Sequence, residues 1–519
     1  MLAQRTKLEA DRRARQYPAR PRIPIFCAVR TADWVVAALY VASSIALGLW
    51  LGRRQQGAGD YFLGDRNLPW WAILVSVVAT ETSALTVISI PGIAYRGDLT
   101  FLQLALGYLI GRVAVAWLLL PGYFAGETQT AYQLLGSRWG GRARRVSSAL
   151  FMATRALGDS VRVFATAIPL TAISGWSYPT AILALGAATL VYTWAGGLRA
   201  VVWTDVLQWV VYMAAGGVAL VVGLRLAPDA LGAAAAAGKL RVLDFGFSWT
   251  NPYAFGTAVA GGALLSAASH GTDHLIVQRL LATRSLRDAR AALVGSGLVV
   301  LAQFALFLLV GAVLWTAFPA GRTLPGDEVL PRFITTHLAG GFAGLAVAGI
   351  LAAAMSTIAS SLNALASSTT HDWYAPLAER AGDDAHLLRV GRLFTVLWAV
   401  VLVGGALLFR RREAPVVVVA LSIASLTYGA LLGAFVLARV ARVRERDAVT
   451  ALVLGTAVMA LVVFAGPIGG ALGGPVLLAP LARLAWPWYV PIGTVLTVFI
   501  GLGATTIGSG RTSEVRSRE

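Results

Sequence analysis

The stretch "AAAMSTIASSLNALASSTTHDW", which begins at Ala352, sets hydroxyls and one amide into an otherwise apolar run. At about 3.6 residues per helical turn, Ser356, Ser360, Asn363 and Ser367 fall at i, i+4, i+7 and i+11 and share one face. The result is a polar stripe along a greasy rod. Such hydroxyls line a site, or they pack helices and bond back to the preceding turn.

A second set of residues carries charge where an apolar environment penalises it. Glu81, Arg112, Arg155, Asp159, Arg162 and Asp205 all fall within or at the edge of apolar stretches, where an unpaired charge costs about 2.5–3.5 kcal/mol or more. Arg155, Asp159 and Arg162 are spaced i, i+4, i+7, so Asp159 can pair with either arginine. Two uses are open: an internal ion-pair cluster tied to Glu81, or an arginine left free to grip a substrate carboxylate through both nitrogens.

The segment "SHGTDH" brings His270, Asp273 and His274 together, legitimate zinc-ligand types that make a membrane-embedded metal-dependent hydrolase conceivable. Placed at the cytoplasmic end of an apolar span, the cluster is read instead as polar residues ahead of a loop. Neither an HExxH helix nor a phosphate-cradling glycine loop is present, and the single Cys27 rules out a disulfide or thiolate-metal framework.

The elements that position these residues follow from composition. The chain has 519 residues, 57% of them hydrophobic and only 13% charged. That is a polytopic, all-helical membrane protein. A bilayer needs about 20 apolar residues per spanning helix, and thirteen windows qualify: 33–51, 70–95, 101–123, 146–172, 179–194, 205–224, 254–276, 293–317, 340–366, 391–409, 416–438, 450–465 and 487–505. Lys and Arg concentrate in the loops after odd-numbered spans, which puts those loops and the short C-terminal tail in the cytoplasm and the N-terminus outside. The arginine-rich tail 1–32 argues the other way; it is disordered, or translation starts at Val29. Residues 33–519 form one transmembrane domain, multi-pass in a cytoplasmic (inner) membrane and functional as a monomer in the lipid bilayer. The formal net charge of +18 is mostly arginine on the cytoplasmic face and calls for no nucleic acid.

Two spans are poor continuous helices. The second, "WWAILVSVVATETSALTVISIPGIAYRG", contains Thr80, Glu81, Thr82, Ser83, Thr86 and then Pro91-Gly92; the seventh has Gly261-Gly262 and Gly271. A broken helix frees carbonyls at membrane depth, tolerated where they line a cavity or bind an ion. The seventh lies five spans after the second, the spacing of an inverted five-plus-five helix repeat.

On "DYFLGDRNLPWW", "TAYQLLGSRWG", "TWAGGLRAVVWTDVLQ", "QRLLATRSLRDAR" and "LAAAMSTIASSLNALASS", found in that order, the chain resembles the sodium:solute symporter family. The resemblance implies a ten-helix inverted-repeat core over about 70–438, preceded by a helix at 33–51 and followed by two at about 450–505. It implies a sodium ion held by carbonyls of Ala79, Thr82 and Ala353 and by the hydroxyls of Ser356 and Thr357. Five neutral oxygens suit a hard monovalent cation. A second sodium at Asp205 and Ser360 is possible, although Ala359 stands where some members have another serine.

For the solute, the resemblance implies a carboxylate-bearing metabolite: a monocarboxylate, sialic acid or an amino acid. Candidate contacts are Glu81, Ser83, Thr86, Phe101, Gln103, Arg155, Arg162, Ser266 and Ser269. Glu81 opposes an anion unless it is protonated or paired, which keeps a zwitterion open. A proton-coupled or uncoupled permease of the same fold is the alternative mechanism.

Overall fold

The structure, a computed structural model, describes residues 30–53, 55, 57–338, 340–379, 382–409, 416–465 and 479–516. The N-terminal tail lies almost wholly outside the described residues, as do residues 517–519 of the C-terminal tail. Because no water is available in a bilayer to satisfy peptide groups, apolar segments close their hydrogen bonds internally. The longer helices are α1 (Thr31–Gly52), α2 (Trp70–Glu81), α3 (Ala84–Arg96), α4 (Leu102–Leu118), α5 (Gly141–Ser174), α6 (Tyr178–Leu226), α7 (Phe255–Gly271), α8 (His274–Leu281), α9 (Leu286–Ala317), α10 (Gly326–His337), α11 (Phe342–Ser368), α12 (Asp384–Leu408), α13 (Val416–Leu437), α14 (Glu445–Val463) and α15 (Tyr489–Arg516).

Each of the thirteen expected windows coincides with helix. The second window is the pair α2 and α3, bent by 64°. The seventh is α7 and α8, separated by Thr272 and Asp273. Each five-helix repeat therefore begins with a discontinuous helix. The fifth and sixth windows form α6, interrupted at Gly197 (φ 53°, ψ −154°). A side chain there would face left-handed strain and collide with the Tyr61 carbonyl.

Gly261-Gly262, expected to mark the break in span seven, lies in continuous helix instead. These glycines permit close packing: a Cβ on Gly262 would come within 2.7 Å of the Leu104 carbonyl oxygen on α4. The α4 and α7 backbones pack face to face there. Sequence patterning also missed α10, an amphipathic helix that buries Val329, Leu330, Phe333 and Ile334 and packs against α3.

α11 is the hub. Its run is 83% buried over its most apolar window, against 22% for α1, and it packs on α1, α5, α6 and α12. A helix with no lipid face can afford polar residues all round. Its start is fixed by Asp33 of α1, whose Oδ1 accepts the amides of Gly341 and Gly344, both at 2.7 Å.

Candidate functional site

The break between α2 and α3 has a local cause. Ser83 N–H, which a continuous helix would give to the Ala79 carbonyl, donates to Thr86 Oγ1 at 3.3 Å. Thr82 is extended (φ −83°, ψ 102°), which turns its peptide off the helix axis. Its hydroxyl donates to Val78 O at 2.8 Å and accepts from Gln303 Nε2 at 2.7 Å. Tyr212 O–H holds the other end of Gln303 at 3.2 Å. Gln303 and Tyr212, fully buried, were missed from sequence because each is one polar group in an ordinary apolar span. The second break restarts on Asp273, whose Oδ1 accepts Leu275 N–H at 2.9 Å and caps α8.

α11 packs against both α2 and α3, which sets Ala353, Ser356 and Thr357 on the helix facing the Ala79–Thr82 break. Ser356 O–H donates to Asp205 Oδ1 at 2.6 Å, and among the described residues its oxygen accepts from no donor. Thr357 O–H donates to Ala353 O at 3.1 Å. The rest of the stripe has partners on α8: Ser360 accepts from Arg279, Asn363 Oδ1 accepts from Gln278 Nε2 at 2.8 Å, and Ser367 Oγ meets His274 Nε2 at 3.1 Å.

The expected ion-pair cluster exists, with a different membership. Asp159 binds Arg162 at 3.0 Å and Arg155 at 3.5 Å, and its other oxygen accepts from Ser361 of α11. Arg155 continues to Asp273, which also accepts Tyr428 O–H at 2.7 Å. The order Asp273, Arg155, Asp159, Arg162 alternates in sign and ends on Arg162, whose side chain is 25% exposed against 10% for Arg155. Glu81 does not join it. Its carboxylate is held by Arg112 of α4, with His270 Nε2 at 3.6 Å. The other terminal nitrogen of Arg112 donates to Ser296 at 2.9 Å.

The "SHGTDH" residues run from the end of α7 into the start of α8. They form the second break, and their side chains diverge: His270 to Glu81, Asp273 to Arg155, His274 to Ser367. Among the described residues no group of three His, Cys, Asp or Glu is placed to hold a metal.

Next to both breaks lies a cavity of about 370 Å³, in the size range of small-metabolite sites. Glu81, Ser83, Thr86, Phe101, Arg155, Arg162, Ser266 and Ser269, all expected from sequence, line it. Gln103 does not. It is fully buried, with its amide donating to Tyr253 O at 2.8 Å and accepting from Asp244 N at 3.0 Å, which ties α4 to the 244–253 loop. Tyr108, Tyr253, Phe304, Tyr428 and Trp486 also line it, with His270 and Asp327; scattered single aromatics give no spacing signal.

The model of the sodium:solute symporter family matches residues 61–455. The chain belongs to that family. A sodium/sialic acid symporter of Proteus mirabilis is 29% identical over 374 residues, covering 69% of this symporter and 74% of the relative. The human sodium/iodide cotransporter is 30% identical over 367 residues, 66% of this chain and 56% of that one. A substrate-bound, outward-open Na+-coupled sialic acid symporter shares the fold, with a TM-score of 0.80, 24% identity and coverage of 92% of this symporter and 98% of the other.

Proposed function

We propose that this symporter couples the entry of one small carboxylate-bearing solute to sodium by alternating access. The arrangement that carries the reading is the alternating chain from Asp273 to Arg162. Each acid in it has a basic partner, and the last guanidinium keeps one edge toward the cavity. An arginine so placed offers parallel donors to a carboxylate. Arg155, bound between two acids, positions it. Relatives named for sialic acid and for monocarboxylates favour the same chemistry.

The sodium ion is assigned to the carbonyls of Ala79, Thr82 and Ala353 with Ser356 and Thr357. Support comes from the Ala79 carbonyl released by the Ser83–Thr86 bond and from the free lone pairs on Ser356. With loop charges placed as above, the N-terminus is outside, the C-terminus cytoplasmic and the cavity is reached by single protomers in the inner membrane.

Two measurements test this. A sodium-dependent thermal-shift screen of monocarboxylates, sialic acid and amino acids, followed by vesicle uptake, names the solute. The Ser356→Ala, Thr357→Ala double variant should then need many-fold more sodium and lose accumulation at low sodium. Wild-type sodium dependence in that variant, or uptake driven equally by a proton gradient without sodium, overturns the reading.

A further inference from the structure

Asp205 and Arg279 face each other at 3.4 Å with no exposure on either side chain. The carboxylate is saturated with donors: Ser356 at 2.6 Å on one oxygen; Ser76 at 2.6 Å, Thr80 at 3.5 Å and Arg279 on the other. The guanidinium is equally committed. Its Nε donates to Ser76 Oγ at 2.9 Å, Nη1 to Leu275 O at 2.8 Å, and Nη2 to Asp205 and Ser360. Ser360 and Thr80 close the circuit at 3.1 Å. Ala359, next to Ser360, contributes no oxygen.

We propose that Arg279 is a built-in cation at the place a second sodium would take, and that Asp205 acts as a positioning residue for the first. This rests on the sodium reading above. A sodium ion asks for lone pairs, yet Ser76 and Ser360 each accept a hydrogen bond from Arg279, and both oxygens of Asp205 already take donors. A sodium added here would leave two positive charges against one buried carboxylate, an arrangement that burial makes prohibitive. By taking the Ser356 proton, Asp205 instead fixes that oxygen with its lone pairs available to the ion, as an outer partner orients a metal ligand. The symporter therefore carries one sodium per cycle.

Calorimetric sodium titration of the purified chain in nanodiscs, at constant ionic strength with choline, tests the assignment without a solute. One sodium per wild-type chain is expected. The charge-balanced pair Asp205→Asn with Arg279→Gln should still bind one, about tenfold more weakly, because Ser356 loses its anionic anchor. Arg279→Gln alone should bind two, the exposed carboxylate recruiting the second ion. Two sodium ions in wild type falling to one in the balanced pair, or unchanged affinity in that pair, overturns the proposal. No sodium binding by wild type would instead sink the sodium reading on which it stands.

Discussion

Asn363 and Gln278 meet side chain to side chain at 2.8 Å, both fully buried, and lock the second half of the broken helix α7–α8 to α11. Gln278 also donates to the Phe62 carbonyl at 2.8 Å, which brings the short helix Ala58–Leu63 into the same contact. Removing Gln278 strands Asn363 Oδ1 and the Phe62 carbonyl, at about 1–3 kcal/mol for a buried unpaired group, whereas removing Asn363 leaves Gln278 bonded to Phe62. Asn363→Ala and Gln278→Ala should each lower the melting temperature in detergent. The double variant should cost less than the sum, since the bond the two side chains share is lost only once. Additive losses would mean that the two side chains act separately.

Thr86 is a switch for the Ala79 carbonyl. Thr86→Val keeps the shape and removes the acceptor that diverts Ser83 N–H. The amide then turns back toward Ala79. With side-chain caps worth about 1 kcal/mol, the sodium concentration giving half of the maximal thermal shift should rise roughly fivefold. An unchanged midpoint would show that the diverted amide has no part in ion binding.

The two helix α5 arginines should separate cleanly. Arg162→Ala should leave a folded protein with a raised Michaelis constant for a carboxylate solute. Arg155→Ala strands the buried Asp273, and breaking such a pair costs about 3–5 kcal/mol, so expression should collapse and recover in part with Asp273→Asn. Unchanged uptake in Arg162→Ala would remove the carboxylate role.

Charge bookkeeping gives a fourth test. One sodium carried with a monoanion moves no net charge, so uptake of such a solute into vesicles should ignore a potassium-valinomycin potential. The same ion with a zwitterion moves one charge; at about 100 mV and a tenfold gradient it supplies roughly 3.7 kcal/mol, or about 500-fold accumulation. A potential-driven rise in monoanion uptake would require a second sodium.

Much of this was readable in advance where local chemistry dictates structure. The break at Thr82 follows from hydroxyls that compete with the helix for its own amides, and that competition is written within four residues. The stripe on α11 was equally plain. Its partners were not, because Arg279 and Gln278 lie in a segment that reads as the start of a loop. Nor could spacing tell that Glu81 would choose Arg112, 31 residues on: that pairing is a tertiary fact. Gln103 failed for the same reason, its partners Asp244 and Tyr253 standing far off in the chain.

The depth at which α11 lies bears on how the protein is made. Its most apolar window has a mean hydropathy of 2.0, enough to enter lipid, but in lipid its hydroxyls and amide would stand without partners. Yet Asp159, Asp205, His274, Gln278 and Arg279, which receive its polar groups, all precede it in the chain. Synthesis runs from the N-terminus, so when α11 leaves the ribosome a half-built bundle already offers it partners. Its hydropathy brings it to the bilayer, and assembly supplies the partners for its polar face. Moving this segment ahead of α5 by circular permutation would take that reception away, even with every contact of the finished fold preserved.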